Sequence, residues 1–322
     1  MKKFVLFLSV LFSAGLFSQE KDSINNNLRE YKISDSEVLV YQKPRISDLY
    51  RNIPQNIVGS AKNVVAKNTY WYSLAALGST LAMIPADPYL IRESRNFGER
   101  LGLNEDHSYS NIGPLNIIPN DMGSFFYFLG NGTTVVLMGA GFASYGLLKN
   151  DYRAQSTSMQ LMQSIILSGV FSQTLKRITG RESPFETDRD GRQHSYWQFM
   201  PSFSAFQKNT SKYDAMPSGH LTTGIAAWIV IAENYPEYRW IKPLGFTLMG
   251  LMSFEMMQSK VHWASDYPIA LLLGYLIGKN VAKNARVRKS INGELATQKK
   301  YQFNFSSSTF NGVQMVGINV DF

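Results

Sequence analysis

The chain has 322 residues, 44% of them hydrophobic and 17% charged, and 32 Lys and Arg against 24 Asp and Glu give a net charge of +8. That length holds one large or two small domains with a substantial buried core. There is no cysteine, which excludes disulfides, thiolate catalysis, a lipid-modified cysteine and cysteine-built zinc sites, and fits an oxidising compartment.

Residues 1–18 begin Met1-Lys2-Lys3, continue as an apolar run from Phe4 to Phe17, and end at Ser18 before Gln19-Glu20. A basic start, a short apolar stretch and small residues predict a secretory signal peptide cleaved near Ser18-Gln19. The run is shorter than the roughly 20 residues that span a bilayer. No basic motif interleaved with aromatics points to nucleic acid. The positive surplus instead suits phosphorylated substrates or an anionic membrane surface.

Residues 19–67 divide into a polar, loosely ordered lead-in over 19–45 and an amphipathic helix over 46–67. The helix is carried by Leu49, Ile53, Ile57, Val64 and Val65 and interrupted by Pro54. Residues 68–285 form the main domain. Long apolar segments recur at 68–86, 122–148, 156–175, 220–232, 243–254 and 267–278, rich in Gly and Ala where helices approach closely. The pattern predicts an all-α helical bundle. The 122–148 segment carries no charge and is long enough to span a bilayer, whereas the last three segments are too short. With a mean hydropathy of −0.16, the expectation is a mostly globular exported bundle docked on a membrane.

The stretch from Arg177 to Met216 is charged, contains proline and carries Phe185, Tyr196, Trp197, Phe199, Phe203 and Phe206. Between two apolar helices, it reads as a packed loop roofing a site. Residues 286–322 read as a basic linker followed by a short C-terminal β-hairpin. Phe303 and Phe305 open one strand, Val316, Ile318, Val320 and Phe322 alternate along the other, and the turn falls near Ser306 to Gly312.

The chemistry concentrates in three places. Ser218-Gly219, just before an apolar helix, offers a hydroxyl and backbone N–H groups at a helix N-terminus, an anion site by geometry and dipole. His220 begins that helix and is placed as a general acid. His262 and Asp266 are spaced i, i+4, so on a helix they share a face. The carboxylate then fixes the tautomer of the imidazole and raises the nucleophilicity of its other nitrogen. Lys176, ending the preceding apolar helix, offers a point charge. This is what phosphate-ester hydrolysis needs: a nucleophile, an acid for the leaving oxygen and donors for the equatorial oxygens. Two histidines and an aspartate suit zinc in principle, but the adjacent lysine and Ser-Gly turn favour an anion, so no metal is expected. His107 and His194 have no comparable partners and are assigned no role, and Glu255 reads as a solvated or structural carboxylate.

Lys176 with Pro184, the run Pro217-Ser218-Gly219-His220, and His262 with Asp266 resemble the three motifs of the type 2 phosphatidic acid phosphatase and vanadium haloperoxidase superfamily over residues 70–285. The resemblance implies a helical bundle of the acid phosphatase and haloperoxidase type. His220 would be the acid, His262 would form a phosphohistidine supported by Asp266, and Lys176, Ser218 and Gly219 would bind phosphate. Two arginines of the motifs are replaced, with Ser183 in the first motif and Glu255-Met256 where the third has Ser-Arg. Each arginine would have given bidentate contacts to phosphate, and losing one such donor costs about 10²–10³ in rate. Arg181, two residues before Ser183, and Lys260, just before His262, are the candidate substitutes.

The expected activity is an exported phosphoric ester hydrolase that uses no cofactor. Its substrate is a phosphorylated small molecule or a lipid phosphate, a monoester or a diphosphate, and it works without nucleic acid. The competing expectations are a degenerate envelope protein that keeps the fold and, with less support, a vanadate-dependent haloperoxidase.

Overall fold

The computed structural model describes residues 20–22, 27–291, 302–310 and 313–321. The expected signal peptide lies outside them. The polar lead-in contains strands: β1 (Glu20–Asp22), β2 (Leu28–Lys32) and β3 (Glu37–Gln42). Two short helices follow, α1 (Asp48–Arg51) and α2 (Ile53–Val65), with Pro54 in the first turn of α2, where its missing N–H costs nothing. Next come α3 (Tyr70–Met83) and α4 (Asp87–Arg100), joined through a 3-10 turn. A small antiparallel ribbon, β4 (Tyr109–Ile112) and β5 (Leu115–Pro119), leads into α5 (Met122–Leu129) and α6 (Gly132–Leu148).

The remaining helices are α7 (Tyr152–Thr179), α8 (Pro184–Arg189), α9 (Phe203–Lys208), α10 (Gly219–Asn234), α11 (Ile241–Gln258) and α12 (Tyr267–Asn284). After α12, β6 (Val287–Ser290) pairs antiparallel with β3, so the chain returns to the sheet that began it. The stretch read as a linker therefore holds a strand. The expected hairpin is β7 (Gln302–Phe310) with β8 (Val313–Asp321). Its strands run further than the sequence implied, with the reversal between Phe310 and Val313.

The bundle is built around α10, which packs against α12, α7 and α11. Leu161, Leu167, Ala226, Ala227, Val230, Leu273, Ile277 and Val281 form its main core. Glycine sets the spacing of α10 and α12. A methyl group on Gly274 would lie 2.6 Å from the Thr222 carbonyl oxygen, and one on Gly278 2.5 Å from that of Ala226. Only a residue without Cβ allows that approach, as the Gly-rich segments led us to expect.

The sheet is fastened to the bundle by buried polar groups. Tyr31 donates to Asp151 at 2.9 Å, Tyr41 donates to Asn234 at 2.7 Å, and the Arg153 guanidinium lies over the rings of Tyr31 and Tyr235 while pairing with Glu237 at 2.7 Å. Leu39, Tyr31 and Tyr41 are buried against Tyr152. The lead-in looked unstructured because its apolar residues are few, yet Tyr31, Ile33, Leu39 and Tyr41 gather in one buried cluster with Tyr152.

The uncharged 122–148 segment is not one continuous helix. α5 and α6 are bent by 70° where Asn131 caps α6 by accepting from Thr133 N. Among the described residues, one helical stretch, Tyr70–Arg100, is long and apolar enough to cross a membrane, and only 11% of its apolar window is buried. Trp71, Tyr72, Leu74, Leu77 and Leu81 are exposed along it.

Candidate active site

Asp214, Lys176, Gly219, His220 and His262 converge at the N-terminal end of α10. Ser218 caps that helix, its buried hydroxyl accepting from Leu221 N at 3.3 Å. With Leu221 N taken by the cap, the Gly219 and His220 N–H groups are the ones that a helix start leaves without a partner in the helix, with the positive end of the helix dipole behind them. Lys176, in the last turn of α7, is buried, and its Nζ lies 3.6 Å from where a Cβ on Gly219 would stand. Asp214 holds the ammonium at 3.4 Å. A lysine and an open helix N-terminus thus share one small space.

The rings of His220 and His262 face each other across it at 6.2 Å between centroids, inclined by 70°. Tyr127 of α5 lies against His220 at 5.1 Å, its ring tilted by 55°, and Tyr267 lies 6.4 Å from His262. Burial, reinforced by the charges of His262, Lys176 and His107, pushes the His220 imidazole down to about 3. His220 is therefore neutral in the empty site, and its work as an acid depends on the negative charge that a phosphate brings.

The His262–Asp266 pair forms, but not on a helix. His262 lies in the turn after α11, and Asp266 closes a 3-10 turn, Ala264–Asp266, that leads into α12. Their contact, Nδ1 to Oδ2, is 3.5 Å, and Nδ1 has no hydrogen-bond partner. Asp266 Oδ2 is fixed by Trp263 N at 2.8 Å. The carboxylate thus faces Nδ1 and leaves Nε2 as the nitrogen free to attack.

The two candidate substitutes are engaged elsewhere. Lys260, in left-handed conformation past the end of α11 (φ 59°), pairs with Asp188 at 2.8 Å and Glu105 at 3.2 Å. Arg181 is fully buried behind the site, donating to Asp266 Oδ1 at 2.6 Å, Ser265 Oγ at 2.6 Å and Asp87 Oδ2 at 2.6 Å. It braces the carboxylate rather than reaching into the gap between the histidines.

The positions of the two replaced arginines are put to structural use. Ser183 is the N-cap of α8, followed by Pro184 in its first turn, and its Oγ accepts from Glu186 N. Met256 is buried in an apolar cluster with Leu221, Ile225 and Met252. Glu255 is not solvated, because its buried carboxylate meets His107 Nε2 at 3.1 Å and Gln258 Nε2 at 2.7 Å. His107 in turn lies 4.0 Å from the Tyr127 ring that covers His220.

Sequence reasoning missed Asp87, Ser265, His107 and Glu255 as neighbours of the site. Asp87 stands 94 residues from Arg181 and His107 148 residues from Glu255, with no spacing to betray them. The aromatic segment between α7 and α10 is packed, with Glu182 buried and holding Arg192 at 2.5 Å, while Phe185, Phe199 and Phe203 stay exposed. Among the described residues no three His, Asp or Glu side chains gather in a metal-binding group.

Residues 157–288 match the model of the PAP2 superfamily. Over these residues the chain is similar to the PAP2 superfamily. They run from α7 to β6 and include Lys176, Ser218, Gly219, His220, His262 and Asp266. The chain is also similar to lipid A 1-phosphatase of Rhizobium johnstonii, 33% identical over 113 residues, which is 33% of this chain and 43% of that protein. The chain thus matches less than half the length of that relative. No solved structure matches it. Asp87 and His107 lie outside the PAP2 segment, so the residues around its site come from beyond the matched domain.

Proposed function

We propose that the protein is an exported phosphatase that hydrolyses a lipid phosphate through a phosphohistidine, without a metal. The observation that carries this reading is the 6.2 Å pairing of His220 and His262 beside the Lys176–Gly219 cradle. In the first step His262 Nε2 attacks phosphorus and the bond to the leaving oxygen breaks, that oxygen taking a proton from His220. In the second, His220 accepts a proton from water, the water oxygen attacks phosphorus, and the phosphorus–nitrogen bond breaks to release inorganic phosphate. Lys176 and the first-turn N–H groups of α10 neutralise the equatorial oxygens in both steps. A lipid as the alcohol is supported by the named activity of the relative and by the exposed apolar side chains along α3. The leader at 1–18 and the lack of cysteine support export to the envelope.

A non-catalytic reading draws on the engaged side chains of Arg181 and Lys260, which leave the two arginine positions unfilled. The deciding experiment assays the purified protein on p-nitrophenyl phosphate and on a lipid phosphate with EDTA present, beside His262→Ala. Phosphate release that survives EDTA and falls at least ~10³-fold in the variant is expected for a lost nucleophile. No release from either substrate by the wild type would leave the non-catalytic reading standing. Bromide oxidation that requires vanadate would favour the haloperoxidase.

A further inference from the structure

We propose that Asp87, from the start of α4 and outside the PAP2 segment, is a positioning residue that holds Arg181 against Asp266 and so sets the charge and direction of the carboxylate facing His262. The proposal rests on the phosphatase reading only for its kinetic arm.

The geometry is closed on every side. Asp87 Oδ2 accepts from Arg181 Nη2 at 2.6 Å and from Ser265 Oγ at 2.5 Å, and Asp87 Oδ1 accepts from Ser265 N at 3.0 Å. Arg181 Nη1 then reaches Asp266 Oδ1 at 2.6 Å, while Nε donates to Ser195 at 3.1 Å. The guanidinium is sandwiched between Trp197, 4.7 Å from its ring centroid, and Trp263, at 5.3 Å. Asp87, Arg181, Ser265 and Asp266 are all buried. Water does not compete for these bonds, and all three nitrogens of the planar fork donate, through four of its five N–H groups.

Two features separate this arrangement from a purely structural ion pair. The cluster ends on the carboxylate whose other oxygen stands 3.5 Å from the unpartnered His262 Nδ1. Its charges also do not cancel: with both carboxylates ionised, two negative charges surround one positive, leaving one net negative charge behind the imidazole. That net charge favours the imidazolium that forms as Nε2 becomes bonded to phosphorus. The other titratable groups beside His262 are His220 and Tyr267; Tyr127 and Lys176 with its partner Asp214 stand against His220, and His107 with Glu255 lies one ring further away.

Asp87→Asn keeps the shape and removes one negative charge, so the titration midpoint of His262 should move to lower pH. Arg181→Gln removes the positive charge and should move it to higher pH. With four histidines in the chain, ¹⁵N-histidine spectra of the full-length protein, assigned with His262→Asn, read this directly and without substrate. In the kinetic arm, Asp87→Asn should lower kcat about tenfold with KM within about twofold, and move the acid limb of kcat/KM to lower pH. Shifts of opposite sign in the two variants support the proposal. Unchanged His262 midpoints in folded Asp87→Asn and Arg181→Gln overturn it, as do shifts of the same sign. Should Asp87→Asn not fold, Arg181→Lys supplies the second arm. It keeps the charge and should leave the midpoint in place while lowering kcat, and a kcat equal to wild type overturns the positioning role. If the wild type hydrolyses nothing while the opposed shifts appear, the phosphatase reading fails and the coupling stands.

Discussion

The His220 and His262 rings stand 6.2 Å apart at 70°, with Lys176 and the first turn of α10 at the side of the gap. Two helix ends and one turn, from parts of the chain more than forty residues apart, fix that spacing.

The two histidines should separate by leaving group. p-Nitrophenol departs with little help from an acid, whereas an alkyl alcohol needs a proton. His220→Asn should therefore lose ~10²–10⁴-fold on a lipid phosphate and much less on p-nitrophenyl phosphate. Equal losses on the two substrates would assign His220 to phosphate binding alone.

The depression of His220 to about 3 gives a signed pH dependence. Its value in the fold lies below the usual 6.5 or so, so the fold favours the neutral form. The corresponding stability is fully present above about pH 6.5 and is lost as pH falls toward 3, because the unfolded chain binds the proton more readily in that window. A phosphate dianion in the gap reverses the local sign. At about pH 8, where free phosphate is already mostly the dianion, calorimetry of inorganic phosphate binding in two buffers of different ionisation enthalpy should show proton uptake.

Gly219 tests the cradle without disturbing the fold. A Cβ there lies in ordinary contact with Lys176, 3.6 Å from Nζ and 3.8 Å from Cε, and the backbone needs no left-handed conformation. Gly219→Ala should fold with unchanged or raised Tm, since alanine suits a helix better. The methyl group occupies space needed by phosphate, so KM should rise and inorganic phosphate should inhibit more weakly. A Tm loss of several degrees would show that the site is tighter than described.

Glu255 is buried and His107 partly so, and removing the imidazole takes one of the two hydrogen-bond partners from the carboxylate. His107→Ala should destabilise by about 1–3 kcal/mol, while His107→Ala with Glu255→Gln should recover much of that loss. Denaturant unfolding of the two single variants and the double variant measures the coupling. Additive losses would mean that the 3.1 Å contact contributes nothing.

Ser183, where the first motif has arginine, caps α8. Ser183→Ala should cost about 1 kcal/mol of stability, the usual worth of an N-cap. With no side chain reaching phosphate from this position, its kcat/KM should stay within about twofold of wild type.

Much was legible in the chain because period and composition report burial directly. The apolar segments became α3, α5 with α6, α7, α10, α11 and α12, with boundaries displaced by a few residues. Ser218-Gly219-His220 fell at a helix start because Ser caps and Gly opens the turn. The strands at 28–42 were not legible, since Tyr31, Leu39 and Tyr41 acquire meaning only from the helix end that they cover. The same holds at the site. Spacing placed His262 and Asp266 on one helix face, whereas a turn and a 3-10 segment bring them together.

By itself, the sequence determined where a hydroxyl, an amide turn, an ammonium and two imidazoles fall along the chain, because these are chemical facts of their positions. Only the tertiary structure decided what becomes of the remaining charges. Arg181 and Lys260, equivalent candidates along the chain, separate once folded: Arg181 is drawn behind Asp266 by Asp87, and Lys260 outward to Asp188 and Glu105. A buried guanidinium must satisfy its donors with whatever carboxylates the packing supplies, and those carboxylates come from helices that sequence spacing does not connect.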